Sequence, residues 1–211
     1  MKILTLVFNH FLVNTYLIYA DNNDCVLIDP ACNNEMEEQK LQEVISNHKL
    51  SIKYILLTHT HIDHIAGCEF AKKTYRNAKL VMHKDALPLY ENANNFTMVM
   101  GFNKQNLPEV DEFITEDQYI ELGEDKLKVI HTPGHANGSI CLYAEKYGFV
   151  VSGDVLFLQS IGRSDLPGGN HQTLLNSIKN KLLSLPPDTK VFPGHGDATD
   201  IAFEKENNPF L

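Results

Sequence analysis

The stretch Thr58-His59-Thr60-His61-Ile62-Asp63-His64 directly follows the apolar run Tyr54-Ile55-Leu56-Leu57 and holds four side chains that can bind a metal. If the apolar run is a strand, His59 and His61 stand two residues apart at its end and project to the same side. Asp63 and His64 then lie on the turn that follows, where the change of chain direction can aim them at the same point. A chance cluster on a solvated loop is less favoured, because the motif has the strand-to-turn context that a metal site needs.

Three imidazoles and a carboxylate suit zinc, iron, manganese or cobalt, whereas calcium and magnesium prefer sites made mostly of oxygen. The same pattern recurs along the chain: a predicted strand ends in a residue that can bind a metal, beside Pro, Gly or Thr. The residues are Asp29, His59 and His61, His135, Asp154 and His195. Loop ends along one edge of a sheet can converge on one site. The repetition therefore favours a shared metal centre over separate structural roles.

Hydrophobic periodicity predicts a chain of mixed strands and helices. A helix is expected over 34–48 with Asn33 or Asn34 as its cap, another from the metal motif to about Tyr75, and a third over 172–184. Strands are expected at 3–7, 15–19, 25–28, 53–58, 79–82, 119–122, 127–130, 139–143, 149–151 and 190–192.

Residues 84–115 have no clear period. Long segments of this kind are often lids or binding loops, but large apolar side chains are usually buried, so a core role is preferred here. The side chains concerned are Leu87, Leu89, Phe96, Met98, Val99, Met100 and Phe102. The end of the chain, Asn208-Pro209-Phe210-Leu211, is too apolar for a free tail, so Phe210 and Leu211 are expected to pack on the domain or on a partner subunit.

Length and composition indicate one domain over residues 1–211, without a secretory signal or a membrane span. The four cysteines lack a CxxC pair, which fits reduced thiols in a cytoplasmic protein. The formal net charge of -9 argues against nucleic acid or anionic membrane as a partner. A small-molecule substrate and a monomer or homodimer are expected.

The motif set resembles the metallo-β-lactamase superfamily in order and residue type. It consists of His59-x-His61-x-Asp63-His64, Thr132-Pro133-Gly134-His135, Gly153-Asp154 and Gly194-His195-Gly196. The stretch 161–169 and the chain ending look like the short bacterial glyoxalase II-like hydrolases, which are related to hydroxyacylglutathione hydrolase. The resemblance implies an α+β fold, a four-layer αββα sandwich of two mixed β-sheets with helices outside. It also implies a chain without the C-terminal helical domain that supplies much of the glutathione pocket in full-length glyoxalase II.

The resemblance further implies two divalent metal ions, zinc foremost, with iron or manganese as alternatives. The first would be held by His59, His61 and His135, the second by Asp63, His64 and His195, and Asp154 would bridge both. Asp63 and Asp154 are the implied catalytic residues. Asp29 matches an acidic position that orients such sites from behind the ligands.

The implied activity is hydrolysis of hydroxyacylglutathione or a related thioester by a metal-bridging hydroxide. The main alternative is a persulfide dioxygenase with one iron on His59, His135 and Asp154. Lactone or β-lactam hydrolysis, nuclease activity and a non-catalytic metal-binding module are less favoured. Arg163 and Asp165, in a Gly-rich loop after Asp154, are candidates for substrate binding or for orienting Asp63, and equally for a surface ion pair.

Overall fold

The computed structural model describes residues 1–211, which form two six-stranded sheets and a short hairpin. The first sheet contains β1 (Lys2–Phe8), β2 (Val13–Tyr19), β3 (Asp24–Ile28), β4 (Ser51–Leu56), β5 (Lys79–His83) and β6 (Glu112–Ile114), in that spatial order. The strands β1, β2 and β3 are antiparallel, and those from β3 to β6 run parallel.

The second sheet contains β7 (Tyr119–Leu122), β8 (Asp125–His131), β9 (Ile140–Ala144) and β10 (Phe149–Gly153), followed by β13 (Lys190–Pro193) and β14 (Thr199–Asp200). The strands β10 and β13 are parallel, and the other pairs are antiparallel. Between β10 and β13 the chain forms a hairpin of β11 (Leu156–Phe157) and β12 (Ser160–Ile161). Both sheets are therefore mixed.

Seven α-helices lie in the connections between strands and at the chain end. They are α1 (Glu35–Asn47), α2 (Ile62–Ile65), α3 (Cys68–Thr74), α4 (Leu87–Asn92), α5 (Asn94–Thr97), α6 (His171–Ser177) and α7 (Ile201–Asn207). The helix α6 continues as a wider π-helical turn over Ile178–Leu182. Asn34 caps α1, because its side chain accepts a hydrogen bond from the backbone N of Glu37 at 3.0 Å.

Three apolar cores show how these elements are layered. The central core joins the inner faces of the two sheets, with Ile18 and Ile28 from the first and Leu127 and Leu142 from the second. The outer face of the first sheet packs on α1 to α4, and the outer face of the second packs on α6 and the π-helical turn. The expected α+β sandwich of two mixed sheets between helices is therefore confirmed.

The predicted strands and the α1 helix are present with small shifts at their ends. The strand expected over 53–58 ends at Leu56, so the metal motif begins on extended backbone beyond it. The helix expected up to Tyr75 is divided into α2 and α3 at Gly67. A Cβ at Gly67 would lie 2.9 Å from the carbonyl O of Pro30, so the chains approach too closely here for any larger residue. The strands β6, β11, β12 and β14 and the helices α4, α5 and α7 were not predicted.

The core role expected for 84–115 is wrong for part of that segment. Phe102 is buried, but Met98 and Val99 are 90% and 86% exposed, and Phe96 is also exposed. The buried face of α4 and α5 is instead formed by Tyr90, Ala93 and Thr97.

The expectation for the tail is half correct, since Leu211 packs on the outer core of the second sheet whereas Phe210 is exposed. All four cysteines are free and buried, in agreement with the predicted reduced thiols. Burial raises the pKa of Cys32 to about 12, so this thiol is held in its protonated form. None of the helices combines the length and the apolar character needed to cross a membrane.

Candidate metal centre

The candidate site lies where strand ends of both sheets meet. His59, His61, Asp63 and His64 lie in the segment that follows β4 and on the short α2. Three further ligand candidates follow strands of the second sheet, with His135 after β8, Asp154 after β10 and His195 after β13. The two sheets are joined at this edge, because the backbone N of Asn14 on β2 donates to the carbonyl O of Gly194 at 2.7 Å.

His59, His61 and His135 form the first set of possible ligands. One nitrogen of each ring lies within 4.8 Å of a nitrogen of the other two. The rings stand nearly perpendicular to one another, with centroids 4.5 to 4.8 Å apart, so they are not stacked. Three nitrogens in this arrangement can share one ion about 2.1 Å from each after small side-chain adjustments.

Asp63, His64 and His195 form a second set with the same 4.8 Å limit between ligand atoms. Nε2 of His64 lies 3.1 Å from Nε2 of His195, and Oδ2 of Asp63 lies 3.5 Å from the latter. The two sets are adjacent, because the rings of His59 and His64 have centroids only 4.1 Å apart.

Asp154 lies between the two sets. Its Oδ1 is 3.3 Å from Nε2 of His64, and its Oδ2 is 3.4 Å from Nε2 of His195 and 3.7 Å from Nε2 of His135. One carboxylate therefore reaches ligand candidates of both sets. The structure thus brings together all seven residues that the sequence pattern singled out.

Hydrogen bonds behind the imidazole rings determine which nitrogen faces the centre. Nδ1 of His135 donates to the carbonyl O of Arg163 at 2.7 Å, and Nδ1 of His195 donates to the carbonyl O of Phe11 at 2.9 Å. A carbonyl can only accept, so each Nδ1 carries a proton and Nε2 is the nitrogen that faces the centre. Nε2 is therefore the atom that would bind a metal once the ring is neutral.

The carboxylate of Asp29 fixes the ring orientation of His64, as the two carbonyl groups do for His135 and His195. Its Oδ2 lies 3.0 Å from Nδ1 of His64, and its two oxygens also accept hydrogen bonds from the backbone N and the hydroxyl of Thr58 at 2.7 and 2.6 Å. Asp29 adopts a left-handed backbone conformation with φ of 48°, which turns its side chain back toward β4. The carboxylate therefore connects the end of β3 to the start of the metal motif.

The donor atoms fit metal ions. Nε2 of His59, Nε2 of His135 and Oδ1 of Asp154 are buried, and none has a hydrogen-bond partner. An unpaired buried polar atom is costly, and three of them directed at one centre indicate that ions satisfy them. The nitrogen-rich first set and the mixed second set agree with zinc or a transition metal better than with calcium.

Burial and charges in the centre shift the pKa values of its residues in different directions. Burial lowers the pKa of His59 well below its ordinary value, so its imidazole is neutral. Burial alone would raise the pKa of Asp154, but His64 and His195 outweigh it and hold that pKa well below the usual range. Burial would likewise lower the pKa of His195, yet the carboxylates of Asp154 and Asp63 raise it to about 9. The carboxylates of Asp154 and Asp63 thus favour positive charge in this half of the centre, which a proton or a metal ion can supply.

The position before His195 requires a glycine, Gly194. A Cβ at this position would lie 2.1 Å from Oδ1 of Asp154 and 2.8 Å from Cε1 of His64. Only a residue without a side chain lets the backbone after β13 approach the centre this closely.

The Arg163 side chain does not contact Asp63, contrary to the hypothesis that it orients that carboxylate. The guanidinium of Arg163 makes two hydrogen bonds of 2.8 Å to the carboxylate of Asp165, and both side chains are exposed. The contact with the centre comes from the backbone carbonyl of Arg163, because the guanidinium is turned outward to solvent. The two side chains therefore form an exposed ion pair, and their role in substrate binding stays a prediction.

Sequence reasoning missed several residues that build the site. The sequence pattern assigned no role to Thr58, whose backbone N and hydroxyl both donate to Asp29. The carbonyl of Phe11 and the side chain of Asn9, which donates to the carbonyl O of Asp63 at 2.9 Å, come from the β1–β2 turn. No periodicity or spacing in the sequence indicates those contacts, because they depend on the packing of distant segments.

Comparison with known proteins agrees with this geometry. The family model of the metallo-β-lactamase superfamily matches residues 9–195. The chain belongs to the metallo-β-lactamase superfamily. A probable metallo-hydrolase YqgX of Bacillus subtilis is 37% identical over 200 residues, covering 94% of this chain and 92% of that protein. The hydroxyacylglutathione hydrolase GloC of Haemophilus influenzae is 33% identical, covering 95% of this chain and 93% of that protein.

Solved structures show the same similarity in three dimensions. The BLEG-1 B3 metallo-β-lactamase has a TM-score of 0.89 at 35% identity and covers 100% of this chain and 99% of its own. TTHA1623, solved in a di-iron-bound form, has a TM-score of 0.88 at 35% identity and covers 99% of this chain and 100% of its own. ETHE1 from Myxococcus xanthus has a TM-score of 0.80 at 25% identity, covering 99% of this chain and 84% of its own.

Proposed function

We propose that this protein is a two-metal thioesterase that hydrolyses a small-molecule thioester such as a hydroxyacylglutathione or a related compound. The observation that carries the proposal is the position of Asp154, whose two carboxylate oxygens face histidines of both ligand sets. A single-metal protein does not require the second set, Asp63, His64 and His195, to converge on that same carboxylate. Similarity to the Haemophilus hydroxyacylglutathione hydrolase supports thioesters as the substrate class.

His59, His61 and His135 would hold one ion, Asp63, His64 and His195 the other, and Asp154 both. When bound, divalent ions in such a pair lower the pKa of water toward about 7 and polarise the substrate carbonyl. In the overall reaction the water oxygen joins the acyl carbon, the carbon-sulfur bond breaks, and a carboxylic acid and a thiol leave.

The protein's own groups prepare this reaction. Asp63 is held near Nε2 of His195 at 3.5 Å, and its pKa is lowered because His64 and His195 outweigh the effect of burial, so it is ionised at neutral pH. An ionised carboxylate beside the reacting carbonyl accepts a hydrogen bond from the attacking water and orients it. The hydrogen bonds to Asp29, Arg163 and Phe11 keep the rings from turning away during turnover.

The main alternative is a one-iron persulfide dioxygenase that uses His59, His135 and Asp154. The structural similarity to ETHE1 supports this alternative. In such an enzyme the second set would have no metal to hold. His64 and His195 are nevertheless each held by a hydrogen bond that Nδ1 donates, and their Nε2 atoms face the centre. That orientation favours the hydrolase.

The test compares metal content with two activities in the same preparation. Protein purified without added metal is analysed for zinc, iron and manganese, then assayed for release of thiol from S-lactoylglutathione and for oxygen uptake with glutathione persulfide. We expect about two equivalents of metal, thiol release that disappears with a chelator and returns on reloading, and no oxygen uptake. A single iron per chain with oxygen consumption and no thiol release would replace this proposal by the dioxygenase.

A further inference from the structure

A pocket of about 110 Å³, partly open to solvent, lies directly beside the candidate metal centre. His61 and Asp63 of the metal motif belong to its lining, together with Thr60 and Ile62 beside them. The other six lining residues are all apolar: Leu89, Ala93, Phe96, Met100, Leu166 and Pro167. A substrate whose carbonyl reaches the metal centre would place one of its two ends in this pocket.

The charges around this pocket do not suit glutathione. Asp63 is the one acidic residue of the lining, and no lysine or arginine belongs to it. Arg163, in the loop that leads to Leu166, is already paired with Asp165 through two hydrogen bonds. A glutathionyl group carries two carboxylates and an ammonium, and placing these charges among apolar side chains without partners is costly. The pocket therefore accepts the other, uncharged end of a thioester.

The pocket wall is ordered rather than a loose loop. Ala93 and Tyr90 fasten α4 and α5 to the core, since Ala93 is buried and the Tyr90 hydroxyl donates to the carbonyl O of Pro108 at 2.8 Å. The side chain of Asn94 bonds the backbone of Gln105 at 2.8 and 2.9 Å. Nε2 of His10 lies 2.9 Å from the carbonyl O of Met100, which attaches the far end of this wall to the β1–β2 turn. A preformed apolar cavity of this kind binds apolar groups without a large ordering cost.

We infer that the thioesters hydrolysed by this protein carry an uncharged, apolar acyl chain, which lies in this pocket against Phe96 and Met100. The inference rests on the proposed thioesterase function and specifies its substrate class. Phe96 and Met100 act as specificity-determining residues, because they contact the acyl chain and lie outside the set of metal ligands.

The first experiment varies only the acyl chain. The metal-loaded protein is assayed with acetyl, butyryl, hexanoyl and octanoyl thioesters of N-acetylcysteamine, an uncharged thiol, and with lactoyl and octanoyl thioesters of glutathione. We expect kcat/KM to rise by about fourfold for each methylene added until the pocket is filled. The octanoyl thioester should exceed the lactoyl thioester on the same glutathione thiol.

The second experiment shortens the pocket wall. Phe96→Ala should lower kcat/KM for the octanoyl thioester by about tenfold and leave the acetyl thioester within about twofold of the unaltered protein. Phe203→Ala is the matched control, because Phe203 on α7 is 38% exposed and Phe96 is 37% exposed, yet Phe203 is not part of the pocket. Met100→Ala provides a second variant with the same expected selectivity, should Phe96→Ala fold poorly.

The outcomes separate the two proposals. If the metal-loaded protein cleaves no thioester of either thiol, the proposed thioesterase function itself is wrong. If it cleaves thioesters with kcat/KM independent of chain length, or prefers lactoylglutathione over every octanoyl thioester, the thioesterase stands and the apolar acyl pocket is wrong. Loss of octanoyl activity in Phe203→Ala equal to that in Phe96→Ala would also overturn it.

Discussion

Asp29 and His64 form a buried pair in which Oδ2 of Asp29 lies 3.0 Å from Nδ1 of His64, with both side chains at most 2% exposed. Through this pair the end of β3 determines the ring orientation of a residue on α2. Because Asp29 also accepts from the backbone and hydroxyl of Thr58, one carboxylate holds both the start of the metal motif and one of its candidate ligands.

Asp29→Asn should weaken metal binding while preserving the fold. Asparagine tolerates the left-handed backbone at this position, so the change removes the negative charge behind His64 with little added strain. We expect an about 10-fold to 100-fold loss of affinity for one of the two metals, which competition with a chromogenic chelator would measure. Asp188→Asn, at an exposed position, is the control and should bind both metals normally.

Asp154→Ala should leave one metal or none, because both ligand sets depend on its carboxylate. Metal analysis after gel filtration measures the stoichiometry, and thioester hydrolysis should disappear in the same preparation. Asp165→Ala, which removes an exposed carboxylate in the loop after Asp154, should retain two metals. Two firmly bound metals in Asp154→Ala would contradict the assignment of the shared carboxylate.

His64→Ala should lose one equivalent of metal and lower kcat for thioester hydrolysis by about 100-fold, a barrier change of about 2.7 kcal/mol. The physical reason is that His64 offers Nε2 to the second set, and its removal also leaves Oδ2 of Asp29 with the Thr58 hydroxyl as its remaining partner. Metal analysis and the thioester assay are read together. An unchanged single iron in both the parent and the variant, with oxygen consumption preserved, would favour the dioxygenase.

Gly194→Ala should disrupt the centre without replacing any ligand candidate. The added methyl would lie 2.1 Å from Oδ1 of Asp154, so the loop after β13 must move away and carry His195 with it. We expect reduced metal content and a loss of about 1 to 3 kcal/mol in the free energy of unfolding, measured with urea. Gly148→Ala is the control for backbone strain, since Gly148 has φ of 64° with open space around its Cβ position, and it should keep its metals.

His83 predicts a pH dependence of stability outside the metal centre. Its ring stacks on His131 with centroids 3.9 Å apart, and burial followed by the His131 charge lowers its pKa, against an opposing effect of Asp85. A histidine whose pKa is lowered by folding binds protons more readily in the unfolded chain. Stability should therefore fall as the pH drops below the unfolded value of about 6.5.

His83→Gln should remove this contribution. Urea unfolding between neutral and mildly acid pH should show a smaller loss of stability for the variant than for the parent protein. The metal-site histidines are common to both proteins and cancel in the difference, and exposed His48→Gln should behave like the parent. A parent and a His83→Gln variant with parallel pH profiles would contradict the expected effect of burial.

Local sequence alone determined most of the strands, limited the cap of α1 to Asn33 or Asn34, and identified the residues that converge. Alternating and continuous apolar runs encode strands, because side chains alternate between the two faces of a sheet. The recurrence of His and Asp at strand ends, at His59, His135, Asp154 and His195, indicates one shared centre. These features depend on neighbours in the chain, so periodicity and spacing reveal them.

Tertiary structure alone decided which atoms face which partners. The carbonyl of Phe11 behind His195, the outward turn of the Arg163 guanidinium and the exposure of Met98 and Val99 all result from contacts between segments far apart in sequence. The apolar pocket beside Asp63 is of the same kind, since its wall combines α4, α5 and the loop at Leu166. Such surfaces form only when the two sheets bring those segments together, because no local pattern records which side chains will meet.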